Sequence, residues 1–287
     1  MPEAKIGVIG GTGLYQMEGL TNIEEVKPKT PFGEPSDSII VGVLDGTKIA
    51  FLPRHGRGHF ISPSEIPARA NIYALKSLGV ECIISVSAVG SLKESIHPLD
   101  LVIPDQIIDR TKNRVNSFFT GGIVAHVGFA QPFCPCLSDV LYKSALEEGA
   151  KVHPEGTYII MEGPLFSTKA ESNLYRSWGA SIIGMTALPE AKLAREAEIC
   201  YATLGCVTDY DVWHETEEDV TIEIAVANLN RTADMAKRIV RRAASRIPNK
   251  RECQCASALQ NAILTDPKLI PPKTKKDLAL LIRKYIK

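Results

Sequence analysis

Six short apolar runs dominate the sequence, and the segments between them have the composition of helices. The runs lie at residues 5–9, 39–44, 49–52, 82–89, 158–161 and 200–207. Runs of this length without polar alternation are typical of strands that are covered on both faces of a sheet. Strands that alternate with helices favour a parallel sheet. We therefore predict an α/β fold: a single domain with a mixed, mainly parallel twisted sheet flanked by helices.

The helical segments carry their own start and stop signals. Residues 138–148 and 222–247 place apolar side chains at helical spacing, which predicts amphipathic helices lying on a core. Thr168 and Glu171 form a possible capping box for a helix that ends at Gly179.

No repeat or low-complexity tract divides the chain, so we assign residues 1–265 to one catalytic domain. A proline-containing linker, T-D-P-K-L-I-P-P-K, precedes a basic amphipathic tail. We predict that residues 266–287 form a tail helix docked on the domain or on a neighbouring subunit.

Charge and hydropathy limit the class of partner. Lys plus Arg and Asp plus Glu number 33 each, so no net field attracts the chain to nucleic acid or to anionic lipid. No apolar run approaches the roughly 20 residues of a membrane span, and the start M-P-E-A-K lacks the apolar region of a signal peptide. We expect a cytoplasmic protein with a small-molecule substrate and neither nucleic-acid nor membrane partners.

Seven cysteines occur, and six of them are closely spaced in pairs. They are Cys82, Cys134, Cys136, Cys200, Cys206, Cys253 and Cys255. Buried reduced thiols are the favoured interpretation, because disulfides are rare in the cytosol. A structural zinc site is less favoured, because no C-x-x-C pair occurs and Cys-x-Cys is a poor chelate spacing. Disulfides remain open, and we assign no metal ligand.

Three loops that follow apolar runs are suited to binding an anion. They read G-G-T-G at residues 10–13, P-R-H-G-R-G-H at 53–59 and S-V-S-A-V-G-S at 85–91. Glycines let backbone N–H groups approach an oxyanion, while hydroxyl, guanidinium and imidazole groups add donors. Together the loops predict a phosphate or sulfate site. A dinucleotide site is disfavoured, because Gln16 stands where the fingerprint needs Gly or Ala.

These loops belong to a longer series of motifs that resembles the trimeric purine nucleoside phosphorylases, and among them the family that cleaves 5'-methylthioadenosine. The series over residues 5–247 is I-G-V-I-G-G-T-G-L, P-F-G-E-P-S-D, R-H-G-R-G-H, S-A-V-G-S-L, E-G-P-L-F-S-T-K-A-E-S, G-M-T-A-L-P-E-A-K-L-A-R-E and T-D-Y-D. The resemblance implies reversible phosphorolysis of 5'-methylthioadenosine to adenine and 5-methylthioribose 1-phosphate, in purine and methionine salvage. It implies inorganic phosphate as co-substrate and no cofactor.

The same resemblance implies roles for individual residues. The phosphate-binding residues are Thr12, Arg54, His55, Ser87, Ala88 and Thr186, of which Ser87 replaces a threonine frequent in the family and keeps the hydroxyl. The nucleoside would contact Phe166, Ser167, Met185, Ile222 and His126. His126 resembles a residue that completes the pocket of a neighbouring subunit, which implies a homo-oligomer, a trimer or a dimer of trimers.

Asp209 and Asp211 follow the last apolar run and are the predicted catalytic residues. On an extended strand, residues i and i+2 face the same side, so both carboxyls can face one ligand while Tyr210 turns away. A carboxylate can accept from N6 of a 6-aminopurine and a carboxylic acid can donate to N7. Two close carboxyls in a poorly hydrated pocket can share that proton. Relatives that use 6-oxopurines carry Asn at the position of Asp209, which points to adenine.

Ile222 stands where relatives acting on ordinary nucleosides have a histidine that donates to the 5'-hydroxyl, so we expect it to pack against a methylthio group. A broader purine nucleoside phosphorylase acting on adenosine, inosine and guanosine is the first alternative. A metal-dependent glycosyltransferase is a second, because D-x-D can hold a divalent cation. A NAD-dependent oxidoreductase and a non-catalytic nucleotide sensor are more distant ones.

Overall fold

A mixed sheet of eleven strands organises the part of the chain that the computed structural model describes, residues 2–11, 14, 17–214 and 222–286 without the side chains of 222, 224 and 225. The strands are β1 (Ile6–Gly10), β2 (Thr21–Val26), β3 (Ile39–Leu44), β4 (Thr47–Pro53), β5 (Cys82–Ser91), β6 (Leu101–Val102), β7 (Gln106–Arg110), β8 (Val152–His153), β9 (Thr157–Met161), β10 (Ile182–Gly184) and β11 (Cys200–Asp209).

Seven α-helices surround this sheet within the described residues. They are α1 (Ala68–Ser77), α2 (Pro135–Glu147), α3 (Lys169–Ser177), α4 (Ala187–Glu196), α5 (Ile222–Arg246), α6 (Pro272–Asp277) and α7 (Ala279–Ile282). The predicted capping box is present at the start of α3, where Thr168 and Glu171 bond each other's backbone. No helix in the described ranges is long and apolar enough to cross a membrane.

Parallel pairing dominates the centre of the sheet. β1 runs parallel to β4 and β5, and β5 runs parallel to β11. Beyond β5 the short antiparallel β10 leads to the parallel strands β9 and β7, while β2 and β3 pair antiparallel beside β4. The predicted fold class is therefore confirmed, and all six apolar runs lie in strands.

Helices cover both faces of the sheet, because successive residues of a strand point to opposite sides. On β5, Ile83 packs in a cluster with Leu75 of α1, and the next residue, Ile84, packs in a second cluster with Leu141 of α2 and Val240 of α5. The tail contributes to the first cluster through its buried side chains Leu278, Leu281 and Ile282. It forms two short helices where one was expected.

The parallel strands bring several loop segments to one edge of the sheet. The residues that follow the carboxyl ends of β4, β5 and β11 lie there, because parallel strands of one sheet end on the same side. Asp209, at the end of β11, pairs with Gly90 near the end of β5 after an irregularity in the ladder beyond Val207. This edge holds most of the site residues predicted from the sequence.

Candidate active site

A pair of hydroxyl groups lies where β5 and α4 approach each other. Ser87 is buried on β5, and its Oγ lies 3.1 Å from Oγ1 of Thr186, the residue before the first turn of α4. The Thr186 side chain makes no capping hydrogen bond to the helix, so its hydroxyl is not spent on the backbone of α4. Ala88 is exposed beside this pair. Leu188 has non-helical φ and ψ, so the regular part of α4 begins after it. The two hydroxyls themselves can both donate to an oxyanion.

Arg54 lies against β5 and is held by a carboxylate. Its side chain is 2% exposed, and Nε and Nη2 donate to the two Glu190 oxygens at 2.6 and 3.1 Å. Nη2 also donates to Ser85 Oγ at 2.7 Å, and Nη1 donates to the Val86 carbonyl at 3.1 Å. Burial opposes the charge of Arg54, but the Glu190 carboxylate outweighs burial and raises the pKa of the guanidinium. Arg54 is thus a permanent buried cation.

His55 is held in one tautomer by the backbone. Its Nδ1 lies 2.8 Å from the Ile61 carbonyl, which can only accept, and its ring stacks on His59 at 4.2 Å. Burial, followed by the nearby Arg54 charge, lowers the pKa of His55 to about 4. The imidazole is therefore neutral near pH 7, and Nε2 can accept a hydrogen bond.

Arg57, in the same loop, does not share the oxyanion role that its sequence suggested. Its guanidinium binds Glu25 at 2.5 Å and Asp37 at 3.0 Å. These ion pairs tie the loop that carries Arg57 to β2 and to the segment before β3.

Asp209 and Asp211 come together by a tight turn and not by strand alternation, so the predicted geometry was wrong in this respect. β11 ends at Asp209, and Asp211 begins a 3-10 helix with a positive φ of 52°. The Asp211 N–H donates to Asp209 Oδ1 at 2.8 Å, and the Thr208 hydroxyl donates to Oδ2 at 2.6 Å. The turn still leaves both carboxyls at the same strand end.

Burial perturbs both carboxyls in the direction of the protonated form. Asp211 is 7% exposed, and burial raises its pKa to about 6, with the Asp209 charge adding to the rise and a hydrogen bond from Ser172 opposing it. Burial also raises the pKa of Asp209, against hydrogen bonds from Thr208 and from the Asp211 backbone. At least one of these groups can carry a proton near neutral pH.

Three residues that complete this geometry were missed in the sequence. The Ser172 hydroxyl donates to Asp211 Oδ2 at 2.6 Å, and Glu190 neutralises Arg54. A side chain at Gly90 would place its Cβ 2.9 Å from Asp209 Oδ1. All three lie inside the family motifs quoted above, so the motifs could have identified them as site residues. The neighbouring sequence does not show which carboxylate or guanidinium each of them contacts.

Phe166, Ser167 and Met185 lie on the segments that follow β9 and β10. Phe166 is 44% exposed, whereas Ser167 is buried, lies near the Asp211 carboxyl and donates to the Met161 sulfur at 3.7 Å. Arg114 donates to the Met185 carbonyl and ties these segments together. The Met185 sulfur lies 2.5 Å from the position of a Cβ at Gly163, so only glycine fits there.

Three predicted residues are not joined to this cluster by any described contact. Thr12 and the Ile222 side chain lie outside the described residues. His126 is exposed, and its backbone N–H donates to the Ala262 carbonyl at 2.9 Å. Among the described side chains, Asp209 and Asp211 do not form part of a group of three or more potential metal ligands.

Comparison with known proteins places these features in a family. The profile of the phosphorylase superfamily matches residues 5–245. The S-methyl-5'-thioadenosine phosphorylase of Geobacter sulfurreducens is 58% identical over 285 residues, covering 99% of this chain and 100% of that protein.

Solved structures give the same result. A methylthioadenosine phosphorylase from an antarctic soil metagenomic library has a TM-score of 0.94 at 51% identity, covering 98% of this chain and 99% of that one. The Schistosoma mansoni methylthioadenosine phosphorylase in complex with adenine has a TM-score of 0.80 at 31% identity and covers 98% of each chain.

Proposed function

The chain belongs to the phosphorylase superfamily, and from this we propose that it cleaves 5'-methylthioadenosine with phosphate to adenine and 5-methylthioribose 1-phosphate. The observation that carries the proposal is the buried pair of Asp209 and Asp211, in which burial raises the pKa of Asp211 to about 6. A purine leaving group gains negative charge as its glycosidic bond breaks. A carboxylic acid held next to the purine can neutralise this charge by donating a proton.

Asp211 acts as the proton donor and Asp209 as the acceptor from the amino group of adenine. The protonated Asp211 donates to N7 as the bond to the ribose breaks, so the base departs neutral. Its pKa of about 6 keeps a fraction of Asp211 protonated near neutral pH, because the pocket desolvates the carboxylate and Asp209 repels a second charge. Such acid catalysis contributes roughly 10² to 10⁴ in rate.

Phosphate binds beside the Ser87 and Thr186 hydroxyls and attacks the anomeric carbon. Thr12 and the exposed Ala88 complete this site. Arg54, whose charge is paired with Glu190, donates to Ser85 and to the Val86 carbonyl and so positions the strand that carries Ser87. A neutral His55, whose Nδ1 donates to the Ile61 carbonyl, can accept at Nε2 a hydrogen bond from the P–OH group of hydrogen phosphate. The dianion then faces the ribose as positive charge develops there.

The sugar and its substituent lie between the segments after β9 and β10. Met185 packs beneath the ribose, Phe166 beside the base, and Ser167 next to Asp211. Ile222 begins α5 and contacts the methylthio group, which favours this substrate over adenosine by roughly tenfold, since burying one such group contributes about 1 to 2 kcal/mol.

His126 reaches the substrate of a neighbouring subunit, so the active form is a homo-oligomer, most simply a trimer. The exposure of His126 in the single chain supports this arrangement. Sedimentation of the active enzyme measures its mass, and a fully active monomer would contradict this part of the proposal.

The decisive experiment follows adenine release from 5'-methylthioadenosine with and without inorganic phosphate. We expect release only with phosphate, accompanied by an equal amount of 5-methylthioribose 1-phosphate. Ser87→Ala and Thr186→Ala should raise the KM for phosphate, while Ser177→Ala, which removes an exposed hydroxyl of α3, should not. Undiminished adenine release in phosphate-free buffer would show that water is the nucleophile and would overturn the proposal.

A further inference from the structure

Four cysteines from three distant parts of the chain meet at the end of the molecule opposite the carboxyl pair. Cys134 directly precedes α2, Cys200 is the first residue of β11, and Cys253 and Cys255 follow α5. Their sulfur atoms all lie within 4.8 Å of one another, and those of Cys200 and Cys253 lie 3.3 Å apart. Asp209 is at the other end of β11, so this cluster is separate from the candidate active site.

We propose that these four cysteines form a structural zinc site. A tetrahedral site with Zn–S bonds of about 2.3 Å places its sulfurs roughly 3.8 Å apart. The Cys200–Cys253 separation of 3.3 Å is shorter than this value, and the 4.8 Å that bounds the whole cluster is longer. A disulfide would instead need two sulfurs at about 2.05 Å, so the Cys200 and Cys253 sulfurs would have to approach each other by more than an ångström. Small side-chain shifts bring all four thiolates onto one ion.

A guanidinium lies beside the cluster. Arg251 interacts with Cys200, and its Nη1 donates to the Glu198 carbonyl at 2.7 Å, just before β11 begins. A cation held at this position offsets part of the negative charge of a tetrathiolate site.

Burial is consistent with a closed structural site that an ion can still reach. Cys134, Cys200 and Cys255 are each less than 5% exposed, whereas Cys253 is half-buried and offers an access route. The chain turns into a short 3-10 helix directly after Cys253, and this turn lets Cys253 and Cys255 reach the same point. That turn removes the objection raised by the Cys-x-Cys spacing.

The site ties the segment after α5 to the body of the protein. Cys255 and Leu259 of this segment are buried, and Ile263 pairs with Ala125. Zinc would therefore fix the segment that supports the loop around residue 125. Structural zinc contributes directly to folding free energy.

The full chain, produced with added zinc and kept reduced, provides the test. We expect about one zinc ion per chain by mass spectrometry of the metal. Replacement by Co²⁺ should give thiolate-to-cobalt charge-transfer absorption and the intense visible bands of a tetrahedral site. Cys253→Ser should release its metal to a chelator that wild type resists and should lower Tm. Cys136→Ser, at an exposed thiol outside the cluster, and Cys206→Ala, at a buried thiol on the same strand, should keep the metal.

Three results would overturn the proposal. One is reduced wild-type protein that holds no zinc and shows all its thiols free to titration. Another is an intact-protein mass that is lower than the reduced mass by the four hydrogens lost when two disulfides form, with the cysteines of the cluster resistant to alkylation. The third is zinc retained equally by Cys253→Ser and by the two controls. The cobalt spectrum of wild type decides the question even if Cys253→Ser fails to fold.

Discussion

Replacing Asp211 by asparagine should make the folded protein more stable above pH 6 while removing most of its activity. Burial disfavours the ionised carboxylate, and the Asp209 charge adds to this effect. Asparagine has no charge, can still accept from the Ser172 hydroxyl, and tolerates the positive φ of 52° at this position. The substitution therefore mimics the protonated state of Asp211 without its transferable proton.

The size of the gain follows from the pKa. A rise from the ordinary value of 3.8 to about 6 corresponds to about 3 kcal/mol of unfolding free energy. Because the folded pKa is the higher one, the stability associated with Asp211 is fully present below pH 3.8 and is lost as pH rises through 6. The asparagine variant avoids this loss, so its advantage should be absent at about pH 4 and reach about 3 kcal/mol by about pH 8.

Thermal unfolding of both proteins from about pH 4 to about pH 8, together with adenine release, measures the two effects. We expect Tm to rise by roughly 5 to 10 °C at the upper end and kcat to fall by about 10² or more. Glu155→Gln, at an exposed acid, should change neither. The reasoning is refuted if Asp211→Asn is less stable than wild type at about pH 8, or if its gain in unfolding free energy is equal at about pH 4 and about pH 8.

Four further predictions concern the base, the strand ends, the buried cation and the 5' group. Asp209→Asn should lower kcat/KM for adenine nucleosides and raise it for inosine. Equal losses on both substrates would contradict the proposed contact between Asp209 and the amino group of adenine. Gly90→Ala places a Cβ 2.9 Å from Asp209 Oδ1, so kcat/KM should fall by about tenfold or more with little change in Tm; unchanged kinetics would show that the carboxylate has room to shift. Glu190→Gln leaves the charge of Arg54 uncompensated in a site 2% exposed and should cost about 3 to 5 kcal/mol in denaturant unfolding, whereas a loss below about 1 kcal/mol would show that other contacts hold the guanidinium. Ile222→His should shift the kcat/KM ratio toward adenosine, and a folded variant with an unchanged ratio would place Ile222 outside the pocket.

Local patterns in the sequence were sufficient to predict the central strands and the start of helix α3. The apolar runs lie in β1, β3, β4, β5, β9 and β11, and the capping box at Thr168 is present as predicted. Strands with other patterns were missed. β2 is exposed along most of its length, and β6 and β10 have only two and three residues, too few for a period-2 pattern to be recognised.

Motif resemblance was sufficient for the family, and most of the residues it named lie at or near one edge of the sheet. Resemblance did not show how these residues are held. Arg54 is 136 positions from Glu190 in the chain, and no local sequence pattern predicts that these two residues form an ion pair. The two aspartates were expected to share a face of an extended strand, but a turn with positive φ at Asp211 brings them together.

The sequence by itself determined the fold class and the family, because strand and helix preferences and short motifs depend on residues that are close together in the chain. It also predicted the residues of the candidate active site. The tertiary structure alone decided which side chains meet. It joined Arg54 to Glu190, Ser172 to Asp211, and Cys134 to Cys200, Cys253 and Cys255. Pairing of this kind depends on how distant segments pack around a common core, so spacing along the chain does not reveal it.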